Sequence, residues 1–297
     1  MGVEHLLYRY GRARGAWKLH RMRSAAAPEE AIRTLQGKRL IFSLSAGRTG
    51  SEFLTRLLAL LPDTASLHEP EPAFQRMMRP ALTNPALARE FLQRYKLPAL
   101  AAHPESTVVE TSHVFCKGFV EPLLELDLLP AVVILRRHPR AVAISYLERY
   151  TVPGRTRYGW QFLLQPSDPG VLHLPGWHSL TDYQLCYWYA LETERRIAHY
   201  ENLLTKHGAI IVGTSASALN QREEFLRVAS LLHPEAESLN LDRLGDAHTA
   251  IAAKKHNANP RRLTDKIDFD QEEAEVWRLL GDKGVDLKKL VNSQYQE

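Results

Sequence analysis

Cysteine is scarce in this chain, which has only Cys116 and Cys186 among 297 residues. The two lie far apart, so the sequence predicts neither a disulfide framework nor a zinc site built from clustered thiolates. A chain that uses so little cysteine is typical of a reducing compartment, and we expect a cytoplasmic location.

Long apolar runs are also lacking. No uninterrupted stretch approaches the roughly 18 residues that a membrane-spanning helix needs, and the first residues lack the apolar core of a secretory signal. At 44% hydrophobic and 24% charged residues, the composition is that of an ordinary globular protein. The net charge of +4 permits an anionic ligand, but it does not call for nucleic acid, and we expect no nucleic-acid partner.

The chain divides by composition into a basic arm with a linker (residues 1–38) and one domain (residues 39–297). The arm begins "MGVEHLLYRYGRARGAWKLHRMRS", in which arginines alternate with leucines and aromatic residues. We favour a solvated, partly helical leader. The alternative is a weak contact with an anionic membrane surface, which would make the protein peripheral to a membrane.

From Arg39 onward, short apolar runs alternate with helical patterns. This order predicts an α/β domain with a parallel β-sheet flanked by helices on both faces. The predicted strands are "RLIFSL", "ASLHEPEP", "STVVET", "AVVIL" and "AIIVG". The main predicted helices begin near Ser51, at residue 84, at Pro139, near residues 181 and 220, and around Glu272.

The first strand runs into "SAGRTGSEF", a pattern typical of a phosphate-binding loop. Backbone N–H groups at a strand-to-helix turn attract anions, and Gly47 and Gly50 would let the backbone approach one closely. Thr49 and Ser51 would add hydroxyl donors, and Arg48 a cation. A nucleoside triphosphatase would instead place Gly-Lys-Ser/Thr here. The remaining alternative is a tight glycine turn without a ligand.

A second anion site is predicted in "LRRHPRAVAISY". Arg137 ends the most strand-like run of the chain, and Ser145 follows eight residues later on a helix. Eight residues make just over two helical turns, so both groups can face one anion at the carboxyl edge of the sheet. Two separate phosphate sites suit a nucleotide that is phosphorylated at both ends of its ribose.

Together these motifs resemble those of the sulfotransferases that use 3′-phosphoadenosine 5′-phosphosulfate (PAPS). "GRTGSEFL" is similar to the family's first signature, with Arg48 where many members have Lys and Glu52 where a hydroxyl is usual. "RHPRAVAIS" is similar to the second signature. The resemblance covers residues 39–150 well and the remainder loosely. It implies a P-loop-type sulfotransferase fold and metal-free transfer of a sulfuryl group to a hydroxyl of a glycan, glycolipid or small molecule.

The resemblance also implies roles for individual residues. The 5′-phosphosulfate would lie on the loop from Gly47 to Ser51, where Arg48 would stabilise the transferring group. Arg137 and Ser145 would hold the 3′-phosphate of PAPS or of its product PAP. Phe53 would either contact the adenine or belong to the core. The basic stretch with Lys254, Lys255, Arg261 and Arg262 would either close over the nucleotide or form a solvated loop.

Two residues compete for the role of general base. Glu69 in "HEPEP" lies where glycan-type members carry a catalytic Glu, and His113 in "ETSHVF" lies where small-molecule members carry a His. His suits proton transfer near neutral pH, but the resemblance places Glu69 first. His68 and Glu71 are further candidates. The segment 150–177, with Tyr158, Trp160 and Trp177, would form either an acceptor lid or part of the core.

Two other functions stay open at this stage. A P-loop nucleotide kinase or hydrolase would depend on ATP and magnesium, which the missing loop Lys disfavours. A catalytically silent member would bind PAP, or a membrane partner through its arm, and Glu52 in place of the usual hydroxyl leaves room for that option.

Overall fold

The protein is built on a five-stranded, all-parallel sheet, so the predicted α/β class is confirmed. The computed structural model describes residues 28–233, 239–254 and 266–295. The strand order is β2-β3-β1-β4-β5. The strands are β1 (Arg39–Leu44), β2 (Thr64–His68), β3 (Thr107–Thr111), β4 (Ala131–Arg136) and β5 (Ile211–Ser215).

Helices and short helical turns connect the strands. The α-helices are α1 (Pro28–Gln36), α2 (Ser51–Leu58), α3 (Met78–Thr83), α4 (Pro85–Phe91), α5 (Leu97–Ala101), α6 (Val120–Leu124), α7 (Pro139–Glu148), α8 (Arg157–Phe162), α9 (Asp182–Lys206), α10 (Arg222–Leu232), α11 (Leu241–Ala252), α12 (Phe269–Leu280) and α13 (Asp282–Gln294). Single turns of 3₁₀-helix cover Phe74–Arg76, Trp177–Ser179 and Ala218–Asn220, and a π-helical turn covers Leu92–Lys96.

The central strands β1 and β4 are apolar on both sides because helices cover both faces of the sheet. Side chains alternate along a strand: Phe42 of β1 and Val132 of β4 belong to one core cluster, whereas Ile41 and Val133 belong to a cluster on the opposite face. A third cluster gathers α7, α9, α12 and α13 around Trp188, which is fully buried.

Helix α9 begins as its sequence predicts. The Thr181 hydroxyl accepts the backbone N–H of Gln184, and the Gln184 side chain accepts the backbone N–H of Thr181. This capping box satisfies donors at the start of the helix. No helix in the described ranges is both long enough and apolar enough to cross a bilayer.

Several elements differ from the sequence prediction. Helix α8 lies inside the segment 150–177, for which the sequence predicts no helix, and α11 and α13 are also absent from the prediction. Helix α1 immediately precedes β1 and buries Leu35 in a core cluster. The first 27 residues lie outside the described ranges, so neither the solvated leader favoured for the arm nor the alternative membrane contact is tested.

Candidate functional site

The loops that follow the parallel strands meet at the carboxyl edge of the sheet and enclose a cleft of about 730 Å³. Its wall includes the residues from Arg48 to Phe53 after β1, Arg137 after β4, Ala216 and Ser217 after β5, and the end of α11. Ligands of parallel α/β sheets bind at this edge. The two motifs singled out in the sequence therefore line one cavity.

The loop between β1 and α2 packs so closely against neighbouring residues that its two glycines leave no room for a side chain. Gly47 and Gly50 have φ angles of 77° and 95°, values that non-glycine residues rarely adopt. A Cβ atom on Gly50 would lie 2.6 Å from the Cβ of Ala216, and one on Gly47 would lie 2.2 Å from the Tyr146 hydroxyl. The loop therefore turns sharply and lays its backbone against its neighbours.

Two tyrosines hold this loop in place. The hydroxyls of Tyr146 and Tyr189 both donate to the carbonyl oxygen of Ala46, at 2.8 and 2.7 Å. The Thr49 hydroxyl is buried and finds no hydrogen-bond partner among the described residues. Leaving a buried polar group unpaired costs about 1–3 kcal/mol. An anion seated on the loop would give this hydroxyl an acceptor.

Three residues from the two motifs make direct contact. Arg137 donates to the backbone carbonyl of Arg48 at 2.7 Å, and Nε of Arg48 donates to the Ser145 hydroxyl at 3.2 Å. Burial, together with the nearby charge of Arg149, lowers the pKa of Arg48. An anion in the cleft would relieve this repulsion between like charges.

Glu52 does not leave an isolated negative charge beside the loop. Its carboxylate accepts from Arg56 at 2.7 Å, one helical turn later on α2. Phe53 belongs to a core cluster, where it is 6% exposed, and it also contributes to the cleft wall. Both roles weighed for Phe53 are thus compatible with its position.

The two rival bases form a hydrogen-bonded pair. Oε1 of Glu69 lies 2.7 Å from Nδ1 of His113. Burial would raise the pKa of Glu69, but His113, His68 and Lys117 together outweigh it and the pKa falls to about 2. The pKa of His113 is lowered by burial and by the charge of Lys117. Nε2 of His113 is buried and has no partner in the described part of the chain.

The other candidates near Glu69 are engaged elsewhere. Nδ1 of His68 lies 2.9 Å from the Thr111 hydroxyl, although His68 also lines the cleft. Glu71 accepts from Arg76 and from the backbone N–H of Ala73. These bonds tie Glu71 into its own turn.

Fixed contacts hold the segment 150–177, part of which lies beside His113. Arg79 donates to the carbonyl of Trp160 and pairs with Asp168. The ring of Phe162 lies 6.2 Å from that of His113, and Tyr158 stacks on Phe162 at 6.4 Å. Phe162 therefore places an aromatic ring beside His113, and it is absent from the three aromatic residues that the sequence pattern singles out.

Arg149 and Lys117 are also absent from the sequence prediction. Arg149 lines the cleft, and an arginine one helical turn after Ser145 was the available signal. Lys117 is fully buried near His113, and the signal was a lysine within the apolar stretch "HVFCKGF". Lys254 reaches the cleft wall, whereas Lys255, Arg261 and Arg262 lie outside the described residues.

Comparison with known proteins adds no identification. The chain matches no protein-family model, no curated protein and no solved structure. Within the described residues, no group of three or more His, Cys, Asp or Glu side chains is arranged to hold a metal ion.

Proposed function

We propose that this protein is a PAPS-dependent sulfotransferase with a P-loop-type sulfotransferase fold. One observation carries the proposal: Arg48 and Arg137, from two motifs far apart in the sequence, line one cleft, and Arg48 is hydrogen-bonded both to Arg137 and to Ser145 of the second motif. A bisphosphorylated nucleotide needs two anion sites about one ribose apart. The loop amides and Arg48 would hold its 5′-phosphosulfate, and Arg137 with Ser145 its 3′-phosphate.

The cleft has the size and charge for such a ligand. Its volume of about 730 Å³ lies within the range of small-molecule sites, and its cations include Arg48, Arg137 and Arg149. Guanidinium groups suit phosphate and sulfate because their N–H groups can donate in pairs. Phe53 in the wall offers an apolar surface to the adenine.

The Glu69–His113 pair supports a specific proton path. The acceptor's hydroxyl oxygen would attack sulfur as the bond from sulfur to the 5′-phosphate oxygen breaks, with PAP as the leaving group. The hydroxyl proton would pass to Nε2 of His113. Glu69, bonded to Nδ1, would orient the ring and stabilise the imidazolium.

This path reverses the order of the two candidates that the family resemblance suggests. A carboxylate with a pKa of about 2 is a weak base at neutral pH, whereas burial lowers the pKa of His113, so its imidazole is neutral near pH 7 and available to accept a proton. Arg48 stays protonated and would stabilise charge on the transferring group. The acceptor would carry its hydroxyl on a glycan, glycolipid or small molecule and would approach from the side of Phe162.

Ligand-dependent unfolding temperatures test the proposal against its rivals. The protein is heated with PAP, PAPS, ATP, or ATP with magnesium, each at the same concentration. A ligand at 100 times its dissociation constant stabilises the fold by about 2.7 kcal/mol. We expect PAP and PAPS to stabilise without metal. Preference for ATP with magnesium would instead establish a kinase or hydrolase.

Turnover then separates an enzyme from a silent member. PAPS labelled in its sulfuryl group is incubated with pooled glycan, glycolipid and phenolic acceptors. We expect labelled product and stoichiometric PAP. Tight PAP binding without product from any acceptor would favour the silent, nucleotide-binding alternative.

A further inference from the structure

Lys117 is a fully buried lysine that forms no ion pair within the described residues. Its side chain is 0% exposed, and no carboxylate of the described residues lies within ion-pair distance of it. Removing an ammonium group from water costs several kcal/mol unless other groups compensate. The fold contains a useful contrast in Lys96, which is equally buried but pairs with Glu110 at 2.8 Å.

The contacts of Lys117 join both sides of the candidate centre. Its ammonium donates to the carbonyl of Phe162 at 2.7 Å, and Phe162 is the aromatic residue whose ring lies beside His113. On its other side the ammonium lies 4.9 Å from the ring of Tyr189. The Tyr189 hydroxyl holds the phosphate-loop carbonyl of Ala46.

The charge of Lys117 also acts on the Glu69–His113 pair. Burial lowers the pKa of Lys117 to about 7, so the group is charged in mildly acidic solution. That charge disfavours a proton on His113, an effect second only to burial. The other ionisable groups acting on Lys117 are Cys116, Glu69, Arg79 and Arg196. Those acting on His113 are Glu69, His68 and Lys117 itself.

We propose that Lys117 is a positioning residue of this centre, which holds the Phe162 ring against His113 and places a buried positive charge beside the Glu69–His113 pair. The proposal rests on the function argued above. Lys117 would not contact the nucleotide or the acceptor. Its effect would be to fix the acceptor-facing wall and to keep the His113 imidazole neutral, and so able to accept a proton, at lower pH.

The test compares Lys117→Met with Lys38→Met. Lys38 is the matched control because it also donates to backbone carbonyls, those of His103 and Glu105, but lines a separate groove at the amino edge of the sheet. For Lys117→Met we expect PAP affinity within about twofold of wild type and an acceptor KM raised about tenfold. We expect Lys38→Met to match wild type in both.

The pH dependence separates positioning from simple loss of stability. Without the buried charge the pKa of His113 rises, so the acidic limb of the kcat profile should move to higher pH by about half a unit or more. Phe162→Leu removes the ring but keeps the charge, so it should raise the acceptor KM without moving that limb. An unmoved limb together with a wild-type acceptor KM in Lys117→Met would overturn the proposal.

Two further measurements keep the test independent of folding and turnover. If Lys117→Met does not fold, Lys117→Gln removes the charge while keeping a donor, and the same shift is expected. Titration of the His113 ring by NMR in the PAP complex reports the shift without any acceptor. PAP binding with an unchanged His113 titration defeats this inference alone, whereas failure of the wild-type protein to bind PAP defeats the proposed function.

Discussion

Arg137 has two roles: it supports the phosphate loop and it lines the cleft. It donates to the backbone carbonyl of Arg48 at 2.7 Å, and burial in the cleft lowers its pKa. The contact fixes the phosphate loop from the side of β4, while the guanidinium stays within the cleft wall. The two roles predict that a substitution of Arg137 affects the affinity for ligands with and without a 3′-phosphate differently.

We expect Arg137→Ala to weaken PAP binding by about 2–4 kcal/mol, because a charge-assisted contact to the 3′-phosphate is lost. Adenosine 5′-phosphosulfate, which has no 3′-phosphate, should lose much less. Isothermal titration with both ligands measures the difference. Arg137→Lys is the control, since it keeps the positive charge but lacks the paired N–H donors of the guanidinium. Equal weakening of both ligands would make Arg137 a support of the loop only.

The Glu69–His113 pair makes a second prediction at this scale. His113→Asn should lower turnover by about 10²–10⁴-fold and leave PAP affinity unchanged. Glu69→Gln should also lower turnover, and it should move the acidic limb of the pH profile to lower pH. The sign follows because the charge of Glu69 raises the pKa of His113, so its removal lowers that pKa.

A base at Glu69 would behave differently. The acidic limb would then disappear in Glu69→Gln, and His113→Asn would retain most of the turnover. Both variants must first show wild-type unfolding temperatures, because changes at strand ends can act through stability alone.

At the scale of elements, local sequence patterns predict buried strands well, but they predict helices that bury few side chains poorly. The apolar runs of β1 and β4 identify buried strands, and Pro139 marks the start of α7. Helix α13 is harder to see because few of its side chains are buried, chiefly Leu287 and Val291. Its pattern is therefore mostly polar and resembles that of a solvated segment.

The same limit explains why the sequence presents Glu69 and His113 as rivals. Each follows its own strand, and no local pattern states that β2 and β3 are neighbours. In the sheet, His68 pairs in register with Thr111, so Glu69 and His113 emerge one and two residues beyond that pair. Strand order depends on long-range packing, and it turns two alternatives into one hydrogen-bonded pair.

Gly50 provides a prediction for the loop as an element. A Cβ at this position would lie 2.6 Å from the Cβ of Ala216, and the backbone has a φ of 95°. We expect Gly50→Ala to displace the loop, weaken PAP binding at least about tenfold and destabilise the fold by about 1–3 kcal/mol. PAP titration and chemical unfolding measure the two effects.

Gly170 supplies the matched control for that change. Its φ is 70°, and nothing lies within 4 Å of the Cβ it lacks. Gly170→Ala therefore introduces the same kind of backbone strain but no steric clash, and it should leave PAP affinity unchanged. If Gly50→Ala binds PAP like wild type, close packing of the loop against the residues after β5 is not needed for nucleotide binding.

At the scale of the whole molecule, Glu194 connects distant parts of the chain. It lies on α9, where its Oε1 accepts from the Tyr295 hydroxyl at 2.8 Å. Its Oε2 lies 3.8 Å from Nε of Arg136 at the end of β4. Burial raises the pKa of Glu194 to about 7, despite these two favourable neighbours. The carboxylate joins the sheet to the end of α13, but ionising it costs stability.

The cost of that ionisation should appear as a pH-dependent difference between wild type and Glu194→Gln. Between pH 4.5 and 7 the native carboxyl keeps a proton that the unfolded chain loses, so the contribution of Glu194 to wild-type stability falls as pH rises. A glutamine side chain does not titrate, so we expect the variant to match wild type near pH 4.5 and to exceed it by about 3 kcal/mol at pH 8. Urea unfolding at both pH values measures this difference.

Glu201→Gln is the control. It removes a more exposed carboxylate that pairs with the same Arg136, and it should destabilise the fold slightly at pH 8. If Glu194→Gln also destabilises at pH 8, its ion pair outweighs the desolvation and the buried carboxylate stabilises the fold.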